Sequence, residues 1–260
     1  MAIGPSLSRK RKRNGNENLL VAKNPEEGAK KSRKSSSKVI NDTSDGNRID
    51  ASIGSLDSHL IADLVARKIK EAGGDLSLID IEAKYIPEKA FRDTSKWRQS
   101  RCLEHLPAFL EDFAPPVKTQ NENSEALELK GAPHTLIITS AGLRAADVVR
   151  TLRPFQTENA TVAKLFAKHI KLKDAVSYVQ KTKISIGVGT PSRIIDLLES
   201  GALSSKSLRQ VVIDCSHVDQ KGRGLFDMRE INVPLVSLLN RSELKERYTG
   251  KVGGIGLLFF

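Results

Sequence analysis

The sequence contains a short run of β-branched apolar residues, Val211-Val212-Ile213, that ends abruptly at Asp214. Such a run, followed directly by polar residues, is typical of a strand buried inside a parallel sheet. In open α/β sheets, the binding and catalytic groups lie just beyond the carboxyl ends of the strands. The sequence therefore predicts that Asp214, Cys215 and His217 lie at the functional edge of such a sheet.

Strand and helix patterns alternate from residue 133 to residue 260. Apolar runs predict strands at residues 135–139, 184–188, 208–213 and 255–260, with a weaker strand pattern at 169–172. Apolar residues at helical spacing predict helices at 143–152, 173–181, 191–201, 233–240 and 242–248, and the start of an amphipathic helix at 161–166. This alternation predicts an α/β domain with a doubly wound parallel sheet.

The region before this domain combines helical patterns with a polar segment. Residues 55–72 and 102–113 show helical spacing, and Pro107 divides the second pattern into two short turns. Residues 115–131 are polar and predict a long exposed loop. We therefore predict three parts. They are a disordered basic tail at 1–52, a helical region with a loop at 53–130 that packs on the domain, and the α/β domain at 131–260.

The predicted tail, residues 1–52, lacks aromatic side chains and is rich in Lys, Arg, Ser, Asn and Gly, which predicts disorder. Its two basic clusters are typical of nuclear localisation signals or of segments that bind phosphate. Their members are Arg9, Lys10, Arg11, Lys12, Arg13, Lys30, Lys31, Arg33 and Lys34. We predict nuclear targeting; the alternative is a tail that only keeps the protein soluble.

The overall composition limits the kinds of partner. A formal net charge of +11 over 260 residues indicates an acidic partner, of which nucleic acid is the usual one. Two cysteines, Cys102 and Cys215, cannot form a disulfide framework or a zinc site by themselves. No apolar run approaches the roughly 20 residues that a membrane span needs. We therefore predict no membrane partner and no metal site.

The segment Gly187-Val188-Gly189 precedes a predicted helix but lacks the third glycine of a dinucleotide fingerprint, because Ser192 stands in its place. Thr190 is a favourable N-cap, and the free amides at this helix end would face a phosphate. Arg193 in the first turn opposes the helix dipole, a cost that a bound phosphate would offset. The alternative is that Arg193 points into water or pairs with a carboxylate.

These residues are the candidates for contacts with an RNA backbone. They are Thr190, Ser192, Arg193 and, as a weaker candidate, Arg144.

The sequence lacks residues that nucleotide hydrolysis needs. No segment has the glycine-rich phosphate loop with its Lys and its Ser or Thr. Asp214 could hold the shell of a magnesium ion, but Cys215 stands where the second acidic residue would be. Weaker alternatives are a metal trio of Asp214, Cys215 and His217, a Cys215–His217 nucleophile pair, and a Cys102–His105 ligand pair. We therefore predict no catalytic residue and no cofactor, with Asp214 as the remnant of an acidic motif.

The motifs of this domain resemble those of DEAD-box RNA helicases. GTPSRIIDLLESGAL resembles their T-P-G-R segment, with Ser192 in place of the glycine. VVIDCSHVD resembles their V-L-D-E-A-D strand but retains only Asp214 of the tetrad, and TLIITSAGLRAADVV resembles A-L-I-L-x-P-T-R-E-L. The terminal GIGLLFF resembles the strand that precedes S-A-T. This resemblance implies a single RecA-like domain that has lost its ATPase parts.

A closer resemblance is to small fungal and animal proteins of the 90S pre-ribosomal complex, the small-subunit processome. It rests on the basic tail, on FRDTSKW and RCLEHLPAFLEDF, and on the order of the degraded helicase strands. It implies a nucleolar ribosome-biogenesis factor whose partners are pre-ribosomal RNA or ribonucleoprotein and pre-ribosomal proteins. We therefore predict a non-catalytic module in the nucleus that docks RNA or protein. The alternative is a nucleotide-dependent enzyme, either a helicase-type ATPase or a Rossmann-type transferase.

Overall fold

The computed structural model describes residues 40–42 (backbone only), 48–74, 77–114, 129–250 and 253–260. Its strands are β1 (Ile40–Asp42), β2 (Arg48–Asp50), β3 (Thr135–Ile138), β4 (Thr161–Leu165), β5 (Ile184–Gly189), β6 (Gln210–Ile213) and β7 (Gly256–Phe259). Its helices are α1 (Ser58–Gly73), α2 (Leu78–Glu82), α3 (Leu106–Phe113), α4 (Gly142–Thr151), α5 (Leu172–Lys181), α6 (Pro191–Glu199), α7 (Arg229–Leu239) and α8 (Ser242–Lys245).

The central sheet has the strand order β4-β5-β3-β6-β7, and its neighbouring strands all pair in parallel. Successive side chains of a strand point to opposite faces, so each strand contributes to two apolar cores. Val211 and Ile213 of β6 pack with α1, α5, α6 and α7, whereas Val212 packs with α3 and α4. Helices thus cover both faces of the sheet, and the predicted doubly wound α/β architecture is confirmed.

The residues before β3 pack against the last strands of the sheet. Phe91 forms a parallel bridge with Leu257 of β7, on the side of β7 that faces away from β6. The backbone N–H of Asp50 in β2 donates to the Ser216 carbonyl at 2.8 Å, just beyond β6. Helix α1 buries one stripe against the core, formed by Ile61, Val65 and Ile69. This region therefore lies against both the edge and the carboxyl end of the sheet.

Most of the predicted elements form close to their predicted positions. Asp57 caps α1, because its side chain accepts a hydrogen bond from the Leu60 N–H at 2.9 Å. Pro107 does divide the second helical pattern, which consists of a 3-10 turn at Leu103–His105 followed by α3. Helix α7 begins earlier than predicted and includes Pro234. The predicted tail up to residue 39 and residues 115–128 of the predicted loop lie outside the described residues.

Two predictions for residues 161–172 are wrong. Residues 161–165 form β4 rather than a helix, because Val162, Ala163 and Leu165 are buried in the sheet. Burial here outweighs the helix propensity of Ala, Lys and Leu. Residues 169–172 form no strand, because His169 has a left-handed φ of 60° and α5 already begins at Leu172. The loop between β4 and α5 therefore consists of residues 166–171.

Within the described ranges, no helix has both the length and the apolar character that crossing a membrane requires.

We expect His134, at the amino end of β3, to make stability depend on pH. Burial lowers the pKa of its imidazole from 6.5 to about 4. Between pH 6.5 and about pH 4, the imidazole is therefore protonated in the unfolded chain but neutral in the folded chain. The free energy of unfolding consequently falls as the pH decreases through this window. His134→Gln should remove about 1–3 kcal/mol of this acid-induced loss, as measured by urea unfolding at a series of pH values. Parallel curves for the two proteins would contradict the prediction.

Candidate functional site at the carboxyl edge of the sheet

Asp214 lies directly beyond β6 and forms a buried ion pair with Arg144 of α4. Nε of Arg144 donates to Oδ2 of Asp214 at 2.8 Å, and Nη2 donates to Oδ1 at 3.1 Å. The two side chains are only 5% and 2% exposed. The N–H of Asp214 also donates to the Ile138 carbonyl at 2.9 Å, which fixes the pair beside β3. The fold thus joins two residues that the sequence had placed in separate motifs.

This ion pair changes what each residue can do. Burial lowers the pKa of Arg144, but the neighbouring Asp214 carboxylate outweighs burial, so that the pKa is raised overall. Each oxygen of Asp214 already accepts a hydrogen bond from the guanidinium, which would compete with a metal ion and its water shell for the same carboxylate. No group of three His, Cys, Asp or Glu side chains suited to a metal occurs among the described residues.

Cys215 and His217 do not form an activated nucleophile pair. The Cys215 thiol donates to the Phe260 carbonyl at 3.0 Å, and burial raises its pKa to about 12. A thiol with a raised pKa is the opposite of a reactive thiolate. Burial lowers the pKa of His217, whose backbone pairs with Ile49 of β2. Both residues therefore serve the packing at the strand end.

Arg101 covers the carboxyl end of β7 with a buried guanidinium. Nη1 donates to the Phe259 carbonyl at 2.7 Å, and Nη2 donates to the carbonyl of Thr94 at 2.9 Å and to that of Gly54. The guanidinium carbon lies 5.3 Å from the centre of the Phe109 ring. The backbone of Arg101 is also held, because the Ser216 hydroxyl donates to its carbonyl at 2.8 Å. The end of the sheet is therefore filled by protein groups at this point.

Sequence reasoning missed Arg101 as a site residue. Two of its three carbonyl partners are 47 and 158 residues away in the chain, so no local pattern identifies them. Gly54 offers a weak signal, since a side chain at this position would collide with the Arg101 side chain. Burial lowers the pKa of Arg101, as expected for a cation among neutral acceptors.

The two glycines of Gly187-Val188-Gly189 lie within β5 rather than in a phosphate-binding turn. A Cβ atom on Gly187 would contact the Leu165 and Leu136 side chains at 2.6 and 2.9 Å. A Cβ atom on Gly189 would collide with the backbone of Leu165. Close packing of β4 against β5 therefore accounts for both glycines.

Thr190 and Pro191 begin α6 as predicted, although the Thr190 side chain makes no capping hydrogen bond. Arg193 in the first turn is buried, and its Nη1 donates to the carbonyl of Ile170 at 3.1 Å. Its Nε has no hydrogen-bond partner and lies 3.8 Å from a carboxylate oxygen of Asp196. Arg193 thus binds the loop between β4 and α5 instead of pointing outward from the helix end.

This loop carries several exposed cationic side chains at the same edge of the sheet. Lys168 lies beside the start of α4, since a Cβ atom on Gly142 would be 3.3 Å from its Cβ. Ile170 lies beside the start of α6 through its hydrogen bond to Arg193. The loop therefore runs between two helix N-termini. Its exposed positive or titratable side chains are Lys168, His169 and Lys171, with Lys173 in the first turn of α5.

The proposed Cys102–His105 ligand pair is a local contact. Nδ1 of His105 lies 3.2 Å from the Cys102 sulfur, 3.1 Å from the Ser100 hydroxyl and 2.9 Å from the Ser100 carbonyl. A single ring nitrogen makes these contacts at the start of the turn before α3. The nine candidate residues for nuclear targeting, Arg9 to Arg13 and Lys30 to Lys34 without Ser32, lie outside the described residues.

The chain is similar over most of its length to a known protein family. A family model described as "CMS1: U3-containing 90S pre-ribosomal complex subunit" matches residues 6–259. "Protein CMS1" of Chaetomium thermophilum is 48% identical over 205 residues, which are 79% of this chain and 80% of that protein. "Protein CMSS1" of Homo sapiens is 32% identical over 168 residues, which are 64% of this chain and 57% of that protein.

"Protein CMS1" of Saccharomyces cerevisiae is 26% identical over 187 residues, which are 66% of this chain and 57% of that protein. The chain therefore spans less than two thirds of the length of the human and budding-yeast relatives.

We expect removal of one member of the Arg144–Asp214 pair to be far more damaging than removal of both. Asp214→Ala should lower the free energy of unfolding by about 3–5 kcal/mol, because it leaves a buried guanidinium without its partner. The double variant Arg144→Leu/Asp214→Leu should recover most of that loss, because no charge stays buried. Urea unfolding of Arg144→Leu, Asp214→Leu and the double variant measures the coupling between the two side chains.

The Arg150–Asp147 pair on the same helix is a matched control, because its side chains are 65% and 39% exposed and its atoms lie 2.9 Å apart. Asp147→Ala should cost less than about 1 kcal/mol. If Asp147→Ala and Asp214→Ala lower the free energy of unfolding equally, the buried pair contributes no more to stability than the exposed pair.

Proposed function

Because the chain belongs to the family of U3-containing 90S pre-ribosomal complex subunits, we propose that it is a non-catalytic ribosome-biogenesis factor of the small-subunit processome. As a subunit of this particle, it associates with pre-ribosomal components in the nucleus or nucleolus. The basic clusters between Arg9 and Lys34 supply its nuclear targeting. The proposed parts are the tail at residues 1–52, the packed helical region at 53–130 and a degenerate RecA-like domain at 131–260.

The Arg144–Asp214 ion pair is the single observation that carries the non-catalytic assignment. An ATPase needs a carboxylate at this strand end that can organise a magnesium ion. In this chain a guanidinium contacts both oxygens of Asp214, with the shorter contact at 2.8 Å. Arg101 fills the neighbouring strand end. The strand end therefore carries its own fixed cations where a nucleotide enzyme would need room for a metal and phosphates.

A helicase-like origin is supported by the arrangement of the degraded motifs. The four segments that resemble helicase motifs contain all or part of β3, β5, β6 and β7. These strands lie side by side in the parallel sheet, in the order β5-β3-β6-β7. The loops that follow such strands gather at one edge, where helicases contact RNA. We propose that this edge has kept a docking role after loss of the chemistry.

The docked partner that the exposed charges favour is the phosphate backbone of single-stranded pre-ribosomal RNA. Lys168 and Lys171 are exposed beside the starts of α4 and α6, and Ser192 is exposed in the first turn of α6. Amides at helix N-termini and nearby cations are the groups that bind phosphate. The buried Arg193 side chain positions this loop by donating to the Ile170 carbonyl. The Arg144 guanidinium is paired with Asp214. The RNA contacts of the domain thus come mainly from Thr190, Ser192 and the loop lysines.

The strained backbone of His169 supports a role for this loop. A non-glycine residue with a φ of 60° costs energy, and such residues persist where the surroundings hold them in place. Here the buried Arg193 side chain holds the next residue, Ile170, at 3.1 Å. A loop that is fixed before binding loses less conformational freedom when it binds a ligand.

We expect charge reversal in the loop to weaken RNA binding by the full chain. Lys168→Glu/Lys171→Glu should raise the Kd for a single-stranded RNA at least 10-fold at low salt, because two phosphate contacts are lost. The slope of log Kd against log salt should become smaller by about 1.4, at about 0.7 per phosphate contact. Fluorescence anisotropy with a labelled oligonucleotide at several salt concentrations measures both quantities.

A matched control reverses two exposed lysines at the opposite edge of the sheet. Lys181 ends α5 and Lys206 precedes β6, so both lie towards the amino ends of the strands. Lys181→Glu/Lys206→Glu should leave both the Kd and the salt slope nearly unchanged. If the two double variants behave alike, the edge does not dock RNA, and a protein partner becomes the better assignment for it.

The alternative function, a nucleotide-dependent enzyme, gives a different result with Mg²⁺ and ATP. We expect no saturable ATP turnover and no increase in Tm on addition of Mg²⁺ and ATP, because Asp214 is engaged by Arg144. A coupled ATPase assay and thermal unfolding with and without nucleotide measure these outcomes. Saturable turnover of ATP by the purified chain would establish the enzyme instead.

A further inference from the structure

A groove lies along the outer side of α1, on a surface that shares no residue with the carboxyl edge of the sheet. It has a volume of about 550 Å³ and is bounded by α1, by Leu56 before it and by Tyr85, which follows α2 in the chain. Its apolar part is formed by Leu56, Leu60 and Tyr85. Leu60 is 46% exposed and Tyr85 is 41% exposed. Leu60 is available to a partner because α1 directs a different stripe into the core, formed by Ile61, Val65 and Ile69.

The polar part of the groove has an uneven distribution of charge along the helix. Arg67 and Lys70 lie at the end of the groove near the carboxyl terminus of α1, and Asp63 lies between them and Leu60. Asp63 has a local partner, since its carboxylate is 3.9 Å from His59. Within the described residues, Arg67 and Lys70 make no ion pair. The groove therefore offers apolar contacts at one end and two uncompensated cations at the other.

These features favour a protein segment over a nucleic acid. Leucine side chains contribute no hydrogen bonds to a phosphate backbone, which binds proteins mainly through charge. An amphipathic helix, by contrast, binds such grooves through apolar side chains spaced at three and four residues. Helix α2, which contacts α1, also exposes the apolar side chains of Leu78 and Ile79.

We infer that this groove binds an acidic amphipathic helix of another protein. The helix places two or three apolar side chains against Leu60 and Tyr85, and its carboxylates pair with Arg67 and Lys70. Carboxylates are most stable in the first turn of a helix, close to its positive dipole end. The amino end of the partner therefore lies over the carboxyl end of α1, and the two helices run antiparallel.

A charge-swap experiment with designed peptides tests this inference. The probe is a labelled helical peptide of about 16 residues, enough for four turns, with glutamates in its first turn and leucines on one face. A twin peptide carries lysines in place of the glutamates. Fluorescence anisotropy gives the Kd of each peptide for the full chain and for its variants, each checked by thermal unfolding.

The acidic peptide should bind the full chain, and Tyr85→Ala should raise its Kd at least 10-fold. Arg67→Glu/Lys70→Glu should also raise the Kd of the acidic peptide at least 10-fold and should lower that of the lysine twin. The matched controls are Tyr178→Ala and Lys181→Glu on α5, an exposed aromatic residue and an exposed cation outside the groove. Both should leave the Kd values unchanged.

Two outcomes would overturn the inference. If the acidic peptide binds equally to the full chain and to Arg67→Glu/Lys70→Glu, its site is elsewhere, for example on the basic clusters at Arg9–Arg13 and Lys30–Lys34. If single-stranded RNA displaces the peptide from the full chain and not from Tyr85→Ala, the groove belongs to RNA. Because no groove residue takes part in the proposed RNA edge, either result leaves the docking function of that edge independently testable.

Discussion

The guanidinium of Arg101 connects the first half of the described chain to the last strand of the sheet. It donates to carbonyls of Gly54, Thr94 and Phe259, which come from three separate segments. A buried cation without its hydrogen bonds is very costly, so these segments must assemble together for the arrangement to be stable. The Ser216 hydroxyl extends the network to the residues after β6. Together with the Phe91–Leu257 bridge and the buried stripe of α1, this side chain fixes the position of the helical region on the sheet.

The second buried guanidinium, that of Arg144, supplies the counter-charge for a buried carboxylate at the end of a central strand. A carboxylate in a parallel sheet must be neutralised when it is buried, by a metal ion, a proton or a cationic side chain. Here Arg144 neutralises Asp214 through two hydrogen bonds. A magnesium ion would have to compete with this guanidinium for the same carboxylate. Asp214 therefore has a structural partner within the fold.

The arginines and the lysines at the carboxyl edge have different roles. Arg144 and Arg193 are buried and shape the edge from within, the second by binding the Ile170 carbonyl. Lys168 and Lys171 are exposed on the loop that Arg193 holds. This division matches the chemistry of the two residue types, because a guanidinium forms several fixed hydrogen bonds and an ammonium group stays hydrated. The rigid part and the charged part of the proposed docking surface thus come from different side chains.

The sequence by itself determined the features that depend on neighbouring residues. The β-branched run at Val211–Ile213, the break at Pro107 and the missing phosphate loop are local patterns, and so is most of the alternation of strands and helices after residue 133. Only the tertiary structure decided that residues 161–165 form a buried strand, because the sheet around them outweighs their helix propensity. It also decided the roles of Arg144, Arg193 and Arg101, whose partners are 70, 23 and up to 158 residues away. A charged side chain is exposed or buried according to contacts between distant segments, and no local pattern encodes those contacts.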